Sequence, residues 1–509
     1  MGHAERRNVL LVVLDTVRKD HLTPYGHDRP TTPTLEALAA EATVYENAVA
    51  QAPWTLPSHA SMFTGRYPSG HAATQESPYL PEGIGTLAEA LSAAGYRSAC
   101  YSSNAWITPY TRLTAGFDDH DSFFGPLPGD AVPSAAATVW RRLSDGRLRP
   151  VADRVVEFGN RIHERLAADG ADSKTPAVLD RVRSFIEGTE DPWFAVCNLM
   201  DAHLPYYPPE PYRSEFAPGV DPGAVCQNSK EYNAGTRGVS ETEFESIRRL
   251  YDASIRHMDA ELGRLFDSLR RIGEWEETVV IVCSDHGELH GEFGLYGHEF
   301  ALYDPLINVP LLIRHPDLES GRVGRTVELL DLYDTVLETA AATDAPERVG
   351  ARPFEPDRSL LSAGRSIPDG EYGFAEYHRP EIERKQLETK AKEAEVELEK
   401  ESRFDSRMRV ARTVDRKYVR NERFRDEAYR LAESLVEDAP TDPDTAAVAA
   451  LSDALDRFEE RLDVLWATEA GADGGTEDGA DGGGESTEQR LSRMDARTRQ
   501  RLRDLGYLE

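Results

Sequence analysis

The hydrophobic pattern of the chain alternates between two periods. "NVLLVVLD" is a continuous apolar run, as expected of a central parallel strand buried on both faces. "TPTLEALAAEA" follows with helical spacing and Thr32 or Thr34 near its start. In "TLAEALSAAGY", Thr86 and Glu89 form a capping-box pattern and Gly95 suits the stop. "YRSACYS" returns as a strand, "PAVLDRVRSFIEG" as a helix and "WFAVCNLM" as a strand. A long helix is predicted where Ile247, Leu250, Ile255, Met258, Leu262, Leu265 and Leu269 recur, and "TVVIVCSD" is another buried strand. This alternation predicts an α/β fold, a mainly parallel sheet between helical layers. Sites in such folds gather beyond the carboxyl ends of the strands.

After about residue 316 the pattern changes. "TVELLDLYDTVLETAAA" reads as a helix, and "GFAEYH" and "MRVARTVDRKYVRNE" read as strands of a smaller α+β unit. Between them, near 384–404, lies a highly charged helix. Leu387, Ala391, Ala394 and Leu398 give it a 4-3-4 seam that would suit a homodimer, against the plainer reading of a solvated surface helix. The expected organisation is a catalytic domain over 1–315, a C-terminal subdomain over 316–466, a flexible acidic linker over 467–488 and a tail helix over 489–509. The insertion at 126–175 has no assigned role.

Composition narrows the function classes. The 509 residues suffice for two or three domains. No apolar run approaches the roughly 20 residues that span a bilayer. Arg6-Arg7 ahead of "NVLLVVL" has the look of a twin-arginine export signal. The run is only seven residues long and ends in Asp15, which favours a first strand and a cytoplasmic protein. The four cysteines include no CxxC pair, so neither a zinc knot nor a disulfide framework is expected. Net charge is −32, and only eight of the 58 basic residues are lysine. That acid-rich, lysine-poor balance resembles proteins of salt-accumulating cells such as haloarchaea. It also argues against nucleic-acid binding, which needs a basic face.

Polar residues cluster at three strand ends: Asp15-Thr16, "MDAH", and "SDHGE" from Ser284 to Glu288. A carboxylate and an imidazole on one turn can ligate one divalent cation, although Asp is also common in turns. "PWTLPSHASMFTGRYP" adds a hydroxyl. Pro57 favours a helix start, and Thr55 just ahead of it sits where amides and the helix dipole attract an anion. Thr55 either caps that helix or acts as a nucleophile beside a metal.

Together with "GYRSACYSSNAW", "DPWFAVCNLMDAHLPYYPP", "TVVIVCSDHGELHGEFGLYGHEFALYDPLINVPLLI" and the tail "LRDLGYLE", these segments resemble the sulfatase family of the alkaline phosphatase superfamily, in the family's order. The resemblance implies an alkaline-phosphatase-like fold and one divalent cation, with Asp15, Thr16, Thr55, Asp285 and His286 on its ligand positions. Thr16 stands where many relatives have a second Asp. His59 falls where the family signature usually has Arg. His203 and His298 fall on substrate-facing positions. Asn104 and Arg66 fall near anion-contacting and signature positions.

Sulfatases of this type normally carry Cys or Ser at the position of Thr55, oxidised to formylglycine. Oxidation of a threonine would give a ketone, so the resemblance and the residue disagree about the mechanism. Threonine nucleophiles occur elsewhere in the superfamily, attacking phosphorus. The Asp, Thr, Asp, His set suits Mn²⁺ or Zn²⁺ better than Mg²⁺ or an all-oxygen Ca²⁺ site. Three functions stay open: hydrolysis of a small-molecule or glycan sulfate or phosphate ester through Thr55, phosphoryl-group transfer to a glycan or lipid acceptor, and non-catalytic binding of an anionic glycan.

Overall fold

In the first strand, β1 (Asn8–Leu14), alternate residues serve two different cores. Val9, Leu11 and Val13 face one apolar cluster, and Leu10, Val12 and Leu14 face the other. A strand covered on both faces has no polar side, which is why its sequence does not alternate. Each such side chain contributes roughly 1.5–3 kcal/mol on burial. The computed structural model describes residues 6–123, 173–361, 372–396, 404–431, 435–437, 440–442 and 445–462.

Strands β2 (Thr43–Val49), β3 (Arg97–Ser102), β4 (Asp119–Asp121), β5 (Trp193–Leu199) and β6 (Thr278–Cys283) join β1. A two-residue pair, β7 (Leu289–His290) and β8 (Tyr296–Gly297), lies apart from them. With β9 (Asn308–Arg314) and β10 (Gly321–Glu328), the large sheet has eight strands in the order β10-β2-β9-β6-β1-β5-β3-β4. Strand β9 runs antiparallel to β2 and β6, and the other pairs are parallel. The expected mainly parallel α/β sheet is present.

Helices α1 (Pro33–Ala39), α2 (Thr55–Thr64), α3 (Leu87–Ala93), α4 (Thr175–Glu187) and α5 (Glu241–Ile272) contribute to these layers. The Thr86–Glu89 capping box forms at α3, with Thr86 N–H donating to Glu89 at 2.8 Å and Glu89 N–H to Thr86 Oγ1 at 3.2 Å. Helix α5 buries Ile247, Leu250, Ile255, Met258, Leu262, Leu265 and Leu269, the face read from its spacing. Gly273 ends it with a left-handed φ of 85°.

One expectation is corrected beyond His315. "TVE" of "TVELLDLYD" is the end of β10, and helix α6 begins only at Asp331 (Asp331–Thr339). The chain past residue 315 therefore still builds the large sheet, and the second sheet begins at Gly373. That sheet is antiparallel, in the order β11 (Gly373–Tyr377), β12 (Met408–Arg412), β13 (Arg416–Asn421) and β14 (Glu427–Arg430).

The charged helix, α7 (Glu381–Glu393), is not merely solvated: Ile382, Glu383, Gln386, Leu387 and Ala391 are buried. Leu387 and Ala391 pack against Ala234, Phe300 and Phe404 of the same chain, while Ala394 is exposed. Leu398, most of the insertion at 126–175, the acidic linker and the tail lie outside the described residues. Helix α8 (Ala446–Leu462) covers the small sheet, with Phe458 stacked on Phe374. Asp304 of the large domain is held by Arg412 at 2.9 Å and Lys417 at 3.3 Å. No helix among the described residues is long and apolar enough to cross a membrane.

Candidate metal and nucleophile centre

Strands β1 and β6 pair side by side and end at the same edge. Asp15 follows β1, and Ser284-Asp285-His286 follow β6, all of them fully buried. Gly287 makes this turn feasible, since a Cβ there would lie 1.9 Å from the Pro305 carbonyl oxygen. Asp15, Asp285 and His286 each bring one ligand atom into a group no more than 4.8 Å across. His286 Nε2 is 3.5 Å from Asp285 Oδ2 and 3.9 Å from Asp15 Oδ1. Its Nδ1–H donates to the Gly287 carbonyl at 3.0 Å, which turns the Nε2 lone pair inward.

The donor set fits a divalent cation. Asp15 Oδ1 and Asp285 Oδ2 are buried without a hydrogen-bond partner. Burial pushes the Asp15 carboxyl upward against the amides of Asn198 and Asn104. Burial, and then the charge of Asp15, push Asp285 far above the usual carboxylate range. Burial, then the charge of His298, hold His286 well below the usual imidazole range. Two buried carboxylates this close need a cation if both are to be ionised.

A second group of Asp252, His21 and His27 differs. His21 Nδ1 lies 2.6 Å from Asp252 Oδ1, and Arg29 donates to Oδ2 at 2.6 Å. Both carboxylate oxygens are thus satisfied, and the group reads as an ion cluster that ties α5 to the loop after β1.

Thr55 is the first residue of α2, rather than the residue ahead of it, and is fully buried. Trp54 precedes it in an extended conformation and puts no side-chain cap on the first turn. Thr55 Oγ1 lies 3.4 Å from His286 Nε2. Asn104, in the turn after β3, donates to Thr55 Oγ1 at 3.1 Å and to Asp15 Oδ2 at 2.8 Å. These contacts draw the hydroxyl, the imidazole and the carboxylates into one cluster.

The three remaining histidines differ in charge. His59 Nδ1 donates to the Thr55 carbonyl at 3.0 Å and lies 3.5 Å from Asp285 Oδ2, while its Nε2 is buried without a partner. Burial lowers it to about 4, so it is neutral at pH 7 and does not replace a guanidinium charge. His203 donates to the Leu204 carbonyl at 2.6 Å, and burial, then the charge of His298, lower it to about 3. His298 Nδ1 donates to Glu288 at 3.1 Å. Burial opposes its charge, but the Glu288 carboxylate outweighs this and pushes His298 up to about 9. Its ring centroid is 4.6 Å from that of His286 and 5.2 Å from that of His203.

Two expected residues are not brought to this cluster. The Thr16 hydroxyl lies 2.6 Å from the carbonyl oxygens of both Asp15 and Ala202, so backbone acceptors take its proton. Only its N–H turns toward the site, to Asp285 Oδ1 at 3.4 Å. Arg66 follows Gly65 at the far end of α2, about 15 Å from Thr55 along the helix axis. Other contributors carried no signal strong enough to be named in advance. Asn198 donates to Asp15 Oδ2 at 2.8 Å from within the apolar strand β5, where a lone amide was the available clue. The Ser58 hydroxyl donates to the Asp285 carbonyl at 2.7 Å.

The large, mainly parallel sheet with helices and a small antiparallel C-terminal sheet gives an alkaline-phosphatase-like fold, with a candidate carboxylate and imidazole metal-binding group at its strand ends. Residues 7–342 match the family described as Sulfatase, and the chain belongs to that family. It is 24% identical over 399 residues to an arylsulfatase of Clostridium perfringens, covering 72% of this chain and 82% of that one. The phosphonate monoester hydrolase of Agrobacterium radiobacter superposes with a TM-score of 0.61 at 22% identity, covering 90% of this chain and 96% of that one. A protein solved with its substrate D-glucosamine-2-N,6-O-disulfate superposes with a TM-score of 0.60 at 15% identity, covering 92% of this chain and 100% of that one.

Proposed function

We propose that this chain is a metal-dependent hydrolase of sulfate or phosphate esters that uses Thr55 itself as the nucleophile. The observation that carries the reading is the placement of the Thr55 hydroxyl. It stands at the N-terminus of α2, 3.4 Å from His286 Nε2 and 3.1 Å from the Asn104 amide. A relative named an arylsulfatase supports a sulfate ester, and a neighbour named a phosphonate monoester hydrolase suggests that a phosphorus ester fits the same fold.

Asp15, Asp285 and His286 would hold a divalent cation, which would supply Lewis-acid charge to the ester oxygens and lower the proton affinity of a hydroxyl beside it. The chain's own groups do the rest. Asn104 occupies one lone pair of Thr55 Oγ1 and fixes the direction of the other. The first turn of α2 presents its dipole to the anion. Thr55 Oγ, its proton released to solvent beforehand, forms a bond to sulfur or phosphorus as the bond to the leaving alcohol breaks. The departing oxygen takes the proton of His298, which Glu288 keeps charged. Water then attacks the sulfur or phosphorus, returns one proton to His298 and keeps the other on the product anion, while Thr55 Oγ leaves in the deprotonated form that begins the next cycle. A threonine needs no prior oxidation for this cycle.

The test compares aryl sulfate, aryl phosphate and aryl phosphodiester in high salt, which screens the net charge of −32. Thr55→Ala is expected to abolish turnover, and mass spectrometry of the 53–66 peptide to show a sulfated or phosphorylated Thr55. Undiminished turnover in that folded variant would falsify the nucleophile assignment. Turnover only with an added alcohol identifies a transferase instead.

A further inference from the structure

The short stretch that carries His298 is strained. Phe300 has a left-handed φ of 72° although it is a buried aromatic residue. A bulky side chain keeps such a backbone only where its surroundings over-determine it. Those surroundings come in large part from the region beyond residue 372. Phe300 N–H donates to the Tyr377 hydroxyl at 3.0 Å. The Phe300 ring packs with Leu387, Ala391 and Phe404.

One residue earlier, the Glu299 carboxylate bonds the Lys230 ammonium, which also meets Glu383 Oε2 at 3.0 Å. The side chains of Lys230, Glu299 and Glu383 are 9%, 2% and 2% exposed. At the end of the stretch, Asp304 is clamped by Arg412 and Lys417. The stretch thus has fixed points at Glu299, Phe300 and Asp304, and each leads to the C-terminal sheet or to α7.

We propose that Tyr377 and Glu383 are positioning residues for His298. Tyr377 fixes the strained backbone directly, and Glu383 acts through Lys230 and Glu299. The charged helix α7 thereby completes the reaction centre of the large domain. This rests on the esterase reading given above. Neither residue touches the reacting atoms, so the expected signature is a fall in kcat with KM kept.

The experiment uses the full chain with Tyr377→Phe, Glu383→Gln and Glu383→Asp, alongside wild type and Thr55→Ala. Tyr377→Phe and Glu383→Gln are expected to lower kcat about tenfold with KM changed by less than about twofold, the size of effect that a small misplacement of a catalytic group produces. Glu383→Asp, which keeps the charge, is expected to fall between Glu383→Gln and wild type. Metal content is expected to stay at the wild-type value. The proposal is overturned if folded Tyr377→Phe and Glu383→Gln keep wild-type kcat. It is equally overturned if their losses disappear well below each variant's unfolding midpoint, the mark of a purely structural role. Absence of Thr55-dependent turnover in wild type would refute the esterase reading, whereas its retention in these variants refutes only the positioning.

Discussion

The Asn104 side chain reaches the Thr55 hydroxyl at 3.1 Å with the same nitrogen that serves Asp15. One amide thus ties the candidate nucleophile to a candidate ligand. Asn104→Ala is expected to lower kcat on an aryl ester by about 100-fold, the scale seen when a donor to a reacting oxygen is removed. Steady-state kinetics check this. A loss confined to KM would mean that Asn104 only binds the anion.

Metal retention depends on the buried carboxylates. Wild type is expected to hold about one divalent ion per chain, and Asp285→Asn to lose it, because one neutral ligand cannot balance the site. Elemental analysis after extensive dialysis measures both. Full occupancy in Asp285→Asn would remove that residue from the ligand set.

The charge of His298 sets an alkaline limit. Glu288 pushes His298 up to about 9, so its proton is present below that value and is lost as the pH rises through it. A bound divalent ion nearby pulls the value down, placing the working limb below 9. Glu288→Gln removes the charge that holds the proton, and the alkaline limb of the pH–kcat profile is expected to move to lower pH. A limb that stays in place would exclude His298 as the proton donor.

Acid stability draws on a different pair. Glu292 bonds Arg18 at 2.6 Å, and although burial raises its carboxyl, the Arg18 charge dominates and lowers it from 4.5 to about 2. A depressed carboxylate stabilises the fold fully above its unfolded value, and the contribution is lost as the pH falls from 4.5 toward 2. Glu292→Gln is expected to cost about 2 kcal/mol at neutral pH, since Arg18 keeps Asp20, and almost nothing at the acid end. Denaturant unfolding over a pH series reads this, and a penalty independent of pH would contradict the linkage.

The residues that gave the site away share one property. Asp15 and Asp285 each end a long apolar run, so the change from apolar to polar was visible in one dimension. His298 was named only through the family resemblance, with no local signal of its own. Strand β2 was harder to see because Glu46 and Asn47 interrupt it, and its register with β9 shifts between Tyr45 and Ala48. Helix α7 hid its buried face for a related reason. Glu383 is buried against another charge, Lys230, so its pairing partner lay about 150 positions away and the local pattern read as solvated. Thr16 misled in the opposite direction. Its hydroxyl neighbours a ligand in sequence, but a left-handed φ of 60° turns it toward backbone carbonyls.

The unpaired oxygens of Asp15 and Asp285 make acidity and cation loading two sides of one equilibrium. With no cation to balance them, burial raises both carboxyls and the charge of Asp15 raises Asp285 further, so the pair favours protons. Loading must therefore expel those protons, and the apparent affinity for the cation climbs with pH. A preparation held at low pH is then a proton-filled form of the same centre, convertible by exchange rather than by refolding.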